Sequence, residues 1–120
     1  MKIAVSSSGK EPDSPVDSRF GRAAWFVVVD TDTNEWFAVE NAQNLNLPQG
    51  AGIQAGKTVA ETGAKVLLTG HIGPKAFKVL EAAGIKVYLG ATGTVQDAVT
   101  AFTQGKLAPA DGPDKEGHWV

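Results

Sequence analysis

The chain has 120 residues and a mass of 12.5 kDa, enough for one domain with a hydrophobic core of its own. Eleven Lys and Arg against thirteen Asp and Glu leave a net charge of −2, which excludes the broad basic surface of a general nucleic-acid binder. Cysteine is absent, so disulfides, thiolate zinc sites, cysteine-held iron–sulfur clusters and a cysteine nucleophile are excluded as well.

The first residues, Met1-Lys2-Ile3-Ala4-Val5, run at once into Ser6-Ser7-Ser8-Gly9. That apolar stretch is too short for a secretory signal, and no run reaches membrane-spanning length. The expectation is a cytoplasmic chain without a membrane partner. Ile3–Val5 reads as a short buried strand. Residues 6 to 24 mix serine, proline, glycine and charge, and read as a long loop of the kind that often carries function. Trp25-Phe26-Val27-Val28-Val29 is the clearest strand, β-branched and aromatic throughout. Asp30 to Asn34 is turn chemistry, and Glu35 to Glu40 returns as a second strand, making a hairpin.

Asn41 to Gly50 is a polar loop containing Pro48. From Ala51, the spacing of Ile53, Ala55, Val59 and Ala60 predicts a helix ending near Gly63. Val66-Leu67-Leu68 is the next buried strand, stopping at Thr69-Gly70-His71-Ile72-Gly73. Pro74 then stands where a helix favours its first residue, Ala76, Phe77, Leu80 and Ala83 follow at helical spacing, and Gly84 closes it. Ile85 to Leu89 is a strand and Gly90 to Gly93 a turn. Thr94 with Asp97 resembles a capping box for a helix carrying Val95, Ala98, Val99 and Phe102, ended by Gly105. Beyond Leu107 the composition predicts a flexible tail over residues 108–120. A right-handed crossover makes the strands at 66–69 and 85–89 parallel. The expected fold is a three-layer α/β domain over residues 1–107, a mixed five-stranded sheet with helices on both faces.

Ligands of open α/β sheets gather beyond the carboxyl ends of the parallel strands. Three loops converge there: Ser6, Ser7 and Ser8 with Gly9; Thr69, Gly70, His71, Ile72 and Gly73; and Gly90 to Thr94, including Thr92 and Gly93. Two of them lead into helix N-termini, whose amides and dipole suit a compact anion. The plainer reading is that these glycines only make tight turns. Arg19-Phe20-Gly21-Arg22 adds two guanidinium forks suited to polyoxygen or polysulfide anions, against a plainer reading of a solvated loop with Phe20 in the core. His71 is either an ordinary hydrogen-bonding loop residue or a metal ligand, and His118 reads as incidental. Trp36 and Phe37 are adjacent in a strand and face opposite sides. Ala51 to Thr58 matches a relaxed phosphate-loop pattern. It follows a polar loop rather than a strand and places Lys57 inside a helix, so nucleotide hydrolysis is disfavoured. Gly50-x-Gly52-x-x-Ala55 fails the same test.

Taken together, Asp17-Ser18-Arg19-Phe20-Gly21-Arg22-Ala23, Gly50-Ala51-Gly52, Thr69 to Ala76, and Leu80-x-x-x-Gly84-Ile85-x-Val87-Tyr88 resemble the dinitrogenase iron–molybdenum cofactor biosynthesis family, of the NifX and NifB C-terminal-domain type. The resemblance spans about residues 1 to 107. It implies a ribonuclease-H-like fold and the non-catalytic holding, carrying or insertion of metal–sulfur clusters. The implied cargo is a non-covalently bound, molybdenum-containing cluster, either a molybdenum–copper sulfide or a precursor of iron–molybdenum cofactor. Partner proteins would donate or accept it. The implied site comprises Ser6 to Ser8, Arg19 to Arg22, Gly50, Ala51 and Gly52, and Thr69 to Gly73, with His71 as the one side chain able to bond a soft metal. A two-metal nuclease is disfavoured on the residues themselves. The first strand ends in serines, its neighbours in Thr69 and Leu89, and no carboxylates converge there. The alternatives are a small regulatory or partner-docking module using the same pocket, and an enzyme acting on a phosphate ester or nucleotide.

Overall fold

The computed structural model describes residues 1–41, 50–110 and 112. Six strands form one mixed sheet in the order β3-β2-β1-β4-β5-β6, with three helices. β1 is Lys2–Ser7, β2 Trp25–Asp30, β3 Glu35–Glu40, β4 Val66–Leu68, β5 Lys86–Leu89 and β6 Ala108–Pro109. The helices are α1 (Ala51–Glu61), α2 (Pro74–Ala82) and α3 (Val95–Thr103), and a 3-10 turn covers Phe20–Arg22. β1, β4 and β5 are parallel, with Ile3 opposite Val66 and Val66 opposite Lys86; β2 runs antiparallel to both β1 and β3.

Two features depart from the sequence expectation. The sheet has six strands rather than five, because Ala108 and Pro109 pair with Leu89 and Tyr88 at the far edge. Nothing in a two-residue Ala-Pro segment signals a strand; tertiary pairing alone makes it one, and proline is tolerated at an edge. β1 also continues through Ser6 and Ser7, which pair with Phe26 and Trp25, so part of the expected long loop is ladder. The expected loop over 41–50 and most of the expected tail, His118 included, lie outside the described residues.

Side-chain alternation along the strands divides the core in two. Ala4, Phe26, Val28, Leu67 and Val87 face α1 and α2, where they meet Ala55, Val59, Ala76 and Leu80. Ile3, Val5, Val27, Val29 and Leu68 face α3, where they meet Val95 and Ala98. Gly56 sets the spacing of α1 and α2, since a Cβ there would lie 2.8 Å from Val79 Cγ1. Every helix follows a strand that ends on the same edge of the sheet. All three N-termini therefore open on the edge that carries the ends of β1, β4 and β5. No helix among the described residues is long and apolar enough to cross a membrane.

Candidate anion-binding edge

The end of β1 builds the floor of this edge. Ser6 and Thr69 are fully buried, with their hydroxyl oxygens 2.8 Å apart. The Ser6 hydroxyl also lies 2.7 Å from the Asp17 carbonyl oxygen. A carbonyl only accepts, so Ser6 donates to Asp17 and Thr69 donates to Ser6. This relay ties β1 and β4 to the segment that carries Arg19. The segment then runs beside the loop after β4: Arg19 bridges His71 in parallel, the His71 N–H donates to Ser18 O at 2.7 Å, and the Phe20 N–H donates to His71 O at 3.3 Å. Gly70 permits the approach, because a Cβ there would lie 2.7 Å from the Ser18 carbonyl oxygen.

Phe20 plugs the edge from below. It is fully buried against Phe26, ring centroids 5.3 Å apart, and shares a core with Ala55 and Ile72. The 3-10 turn that begins at Phe20 packs against α1, and α1 packs against α2, the helix into which the His71 loop leads. Arg19 is half exposed and His71 partly so.

The three helix starts differ in chemistry. α3 carries a complete capping box: the Asp97 N–H donates to Thr94 Oγ1 and the Thr94 N–H to Asp97 Oδ2. The Val95 and Gln96 amides donate to Ser14 O and Pro12 O at 2.9 and 2.8 Å. Its orphan donors are therefore all used inside the chain. α1 and α2 have no capping side chain and no acidic residue in the first turn. The first bonded amides at these ends are those of Gln54, to Gly50 O, and Phe77, to Gly73 O. The amides of Ala51, Gly52 and Ile53, and those of Lys75 and Ala76, find no acceptor among the described residues. Lys75 puts a cation in a first turn, where the dipole already disfavours one. That arrangement suits an external anion.

The sequence candidates accordingly fall into groups. Ser6, Thr69, Phe20, Gly21, Ile72 and Gly73 are buried and form the floor rather than the lining. Ser7 is buried as well, its hydroxyl turned to Gly9 O at 2.6 Å, while Ser8 is exposed and bonds Pro15 O. Gly70 serves the close approach to Ser18. Arg19 pairs with His71, and the turn that carries Arg22 packs against α1, the helix that begins at Gly50, Ala51 and Gly52. Thr92 and Gly93 are exposed beside the fully capped α3, which has no amide left to offer them. The Pro12 and Ser14 carbonyls accept the Gln96 and Val95 amides, a non-local pairing that no local pattern signals. Asp17 is the residue that sequence reasoning passes over: Arg19 N–H donates to its Oδ1 at 2.9 Å, and Arg19 Nε lies 4.0 Å from the same oxygen. Lys57 sits exposed within α1, away from its N-terminus, where no phosphate loop could use it.

Two concavities lie elsewhere. One, of about 420 Å³, separates α2 from β5 and β6 along Phe77, Ile85, Val87 and Pro109. The other, of about 310 Å³, lies between β3 and α1 at Phe37, Val39 and Thr58. Neither includes Arg19, His71 or an uncapped helix start. The chemistry and these two hollows are therefore separate, and the edge is the better candidate for an anion.

The family model for dinitrogenase iron–molybdenum cofactor proteins matches residues 1–105. The chain belongs to that family. The orange protein of Desulfovibrio gigas, solved in its apo form, superposes with a TM-score of 0.90 at 50% identity, covering 95% of this chain and 96% of that one. A putative NifB protein from Thermotoga gives a TM-score of 0.78 at 33% identity, over 97% of this chain and 98% of its own. An uncharacterised protein of Methanocaldococcus jannaschii is 30% identical over 109 residues, 89% of each chain. Membership of this family links the chain to metal-cluster handling in cofactor biosynthesis.

Proposed function

We propose that this chain is a non-catalytic carrier that holds an anionic, molybdenum-containing metal–sulfur cluster as cargo at the edge between α1 and α2. The observation that carries this reading is the contrast in capping. The two helices beside the Arg19–His71 bridge start with amides that find no acceptor among the described residues, whereas α3 is closed by its own capping box. Arg19 and Arg22 supply charge, as does Lys75 in the first turn of α2. With no cysteine in the chain, the sulfur ligands arrive with the cargo. His71 is the side chain at the edge suited to a soft metal such as copper. Grip through amides and guanidinium groups is non-covalent and reversible, as transfer to an accepting protein requires.

The test is reconstitution with tetrathiomolybdate, with and without copper, followed by desalting, visible absorption and metal analysis. Retained molybdenum with a coloured complex is the expected result. A colourless protein without metal overturns the reading.

A further inference from the structure

Resting on that anion-binding reading, we propose that Asp17 is a positioning residue that sets release, by competing with the bound anion for the Arg19 guanidinium. Its backbone cannot move away. The Asp17 N–H donates to Ser6 O at 3.0 Å, and its carbonyl accepts from the buried Ser6 hydroxyl at 2.7 Å. The carboxylate is thereby fixed at the rim, with its Oδ1 2.9 Å from the Arg19 amide and 4.0 Å from Nε. The two side chains differ in exposure: Asp17 is 18% exposed and Arg19 51%. A largely buried carboxylate, anchored through its backbone, thus faces a solvent-exposed guanidinium.

Asp17 is the carboxylate paired with Arg19 among the described residues. An arriving anion must draw the guanidinium from a partner already in place, and it meets a like charge beside it. Both effects weaken the grip and speed departure, which suits a carrier more than a store. Asparagine at this position would accept the same Arg19 amide bond without the charge, so the charge is separable from the loop geometry.

The experiment is equilibrium binding of tetrathiomolybdate at low ionic strength to the wild type, Asp17→Asn, Arg19→Ala and the double variant. Asp17→Asn should bind about two- to fivefold tighter, the range for an exposed ion pair, and unfold at an unchanged midpoint. In the Arg19→Ala background the gain should vanish, since the competition acts through Arg19. Equal or weaker binding by Asp17→Asn overturns the proposal. A gain of the same size without Arg19 also overturns it, because Asp17 would then repel the anion directly. Absence of binding by the wild type is a different failure: it removes the anion-binding reading, and this proposal with it.

Discussion

Gly70 lies against the backbone of Ser18 so closely that a methyl group on its Cα would sit 2.7 Å from the Ser18 oxygen and 2.8 Å from its Cα. Both neighbours are main chain, so neither can rotate aside. Gly70→Ala therefore forces the Arg19 segment away from the His71 loop. The expected cost is about 1–3 kcal/mol, as for other overpacked sites. Denaturant unfolding measures it, and tetrathiomolybdate retention should fall in the same variant. An unchanged midpoint with intact retention would contradict the contact.

Thr94→Ala removes the oxygen that accepts the Asp97 amide. A lost N-cap costs about 1 kcal/mol. Since the amides of α3 are used within the chain, anion binding should stay at the wild-type level while the unfolding midpoint drops. Weakened binding would show that α3 contributes to the edge after all.

Arg19→Ala with Arg22→Ala tests the guanidinium charge. Wild-type retention of tetrathiomolybdate should weaken as salt is raised from 0.05 to about 0.5 M, because the Debye length shrinks over that range. The double variant should bind less and show a flatter salt response. Identical salt slopes would place the charge elsewhere.

The Met1 ammonium lies 2.8 Å from Asp32 and 3.5 Å from Asp30. With a free amine at Met1, the hydrogen bond to Asp32 raises the ammonium above its ordinary value, and a hydrogen bond from the Asp32 backbone amide lowers Asp30 below its own. The raised amine contributes stability below its unfolded value and loses it as pH rises through the folded one. The lowered carboxylate contributes above its unfolded value and loses it as pH falls through the folded one. The gap between the unfolding midpoints of wild type and Asp30→Asn should thus be widest between about pH 4 and 8, and narrow on either side. A gap independent of pH would discount the pairing.

Local chemistry made much of this fold legible. Pro74 and Gly84 bracket α2, the Thr94–Asp97 pair marks the start of α3, and Trp25 to Val29 is a strand by composition alone. What escaped is non-local. Ser6 and Ser7 read as loop, yet they are strand because Phe26 and Trp25 lie opposite them. β6 exists because Tyr88 and Leu89 offer an edge. At the candidate site, Arg19, Arg22 and His71 could be named from their chemistry. The closure of α3 by Ser14 and Pro12 could not, because a loop's carbonyl targets depend on how the whole chain folds back.

The unequal helix starts tie folding to loading. On the proposed reading, an anion seated at α1 and α2 would supply acceptors that their first amides lack among the described residues, and so act as a removable part of the fold. Occupancy then adds stability by mass action, about 2.7 kcal/mol when cargo stands a hundredfold above its dissociation constant. Each delivery leaves behind the more labile form of the molecule. On that same reading, the emptied chain is the form more open to proteolysis, which limited digestion with and without tetrathiomolybdate measures.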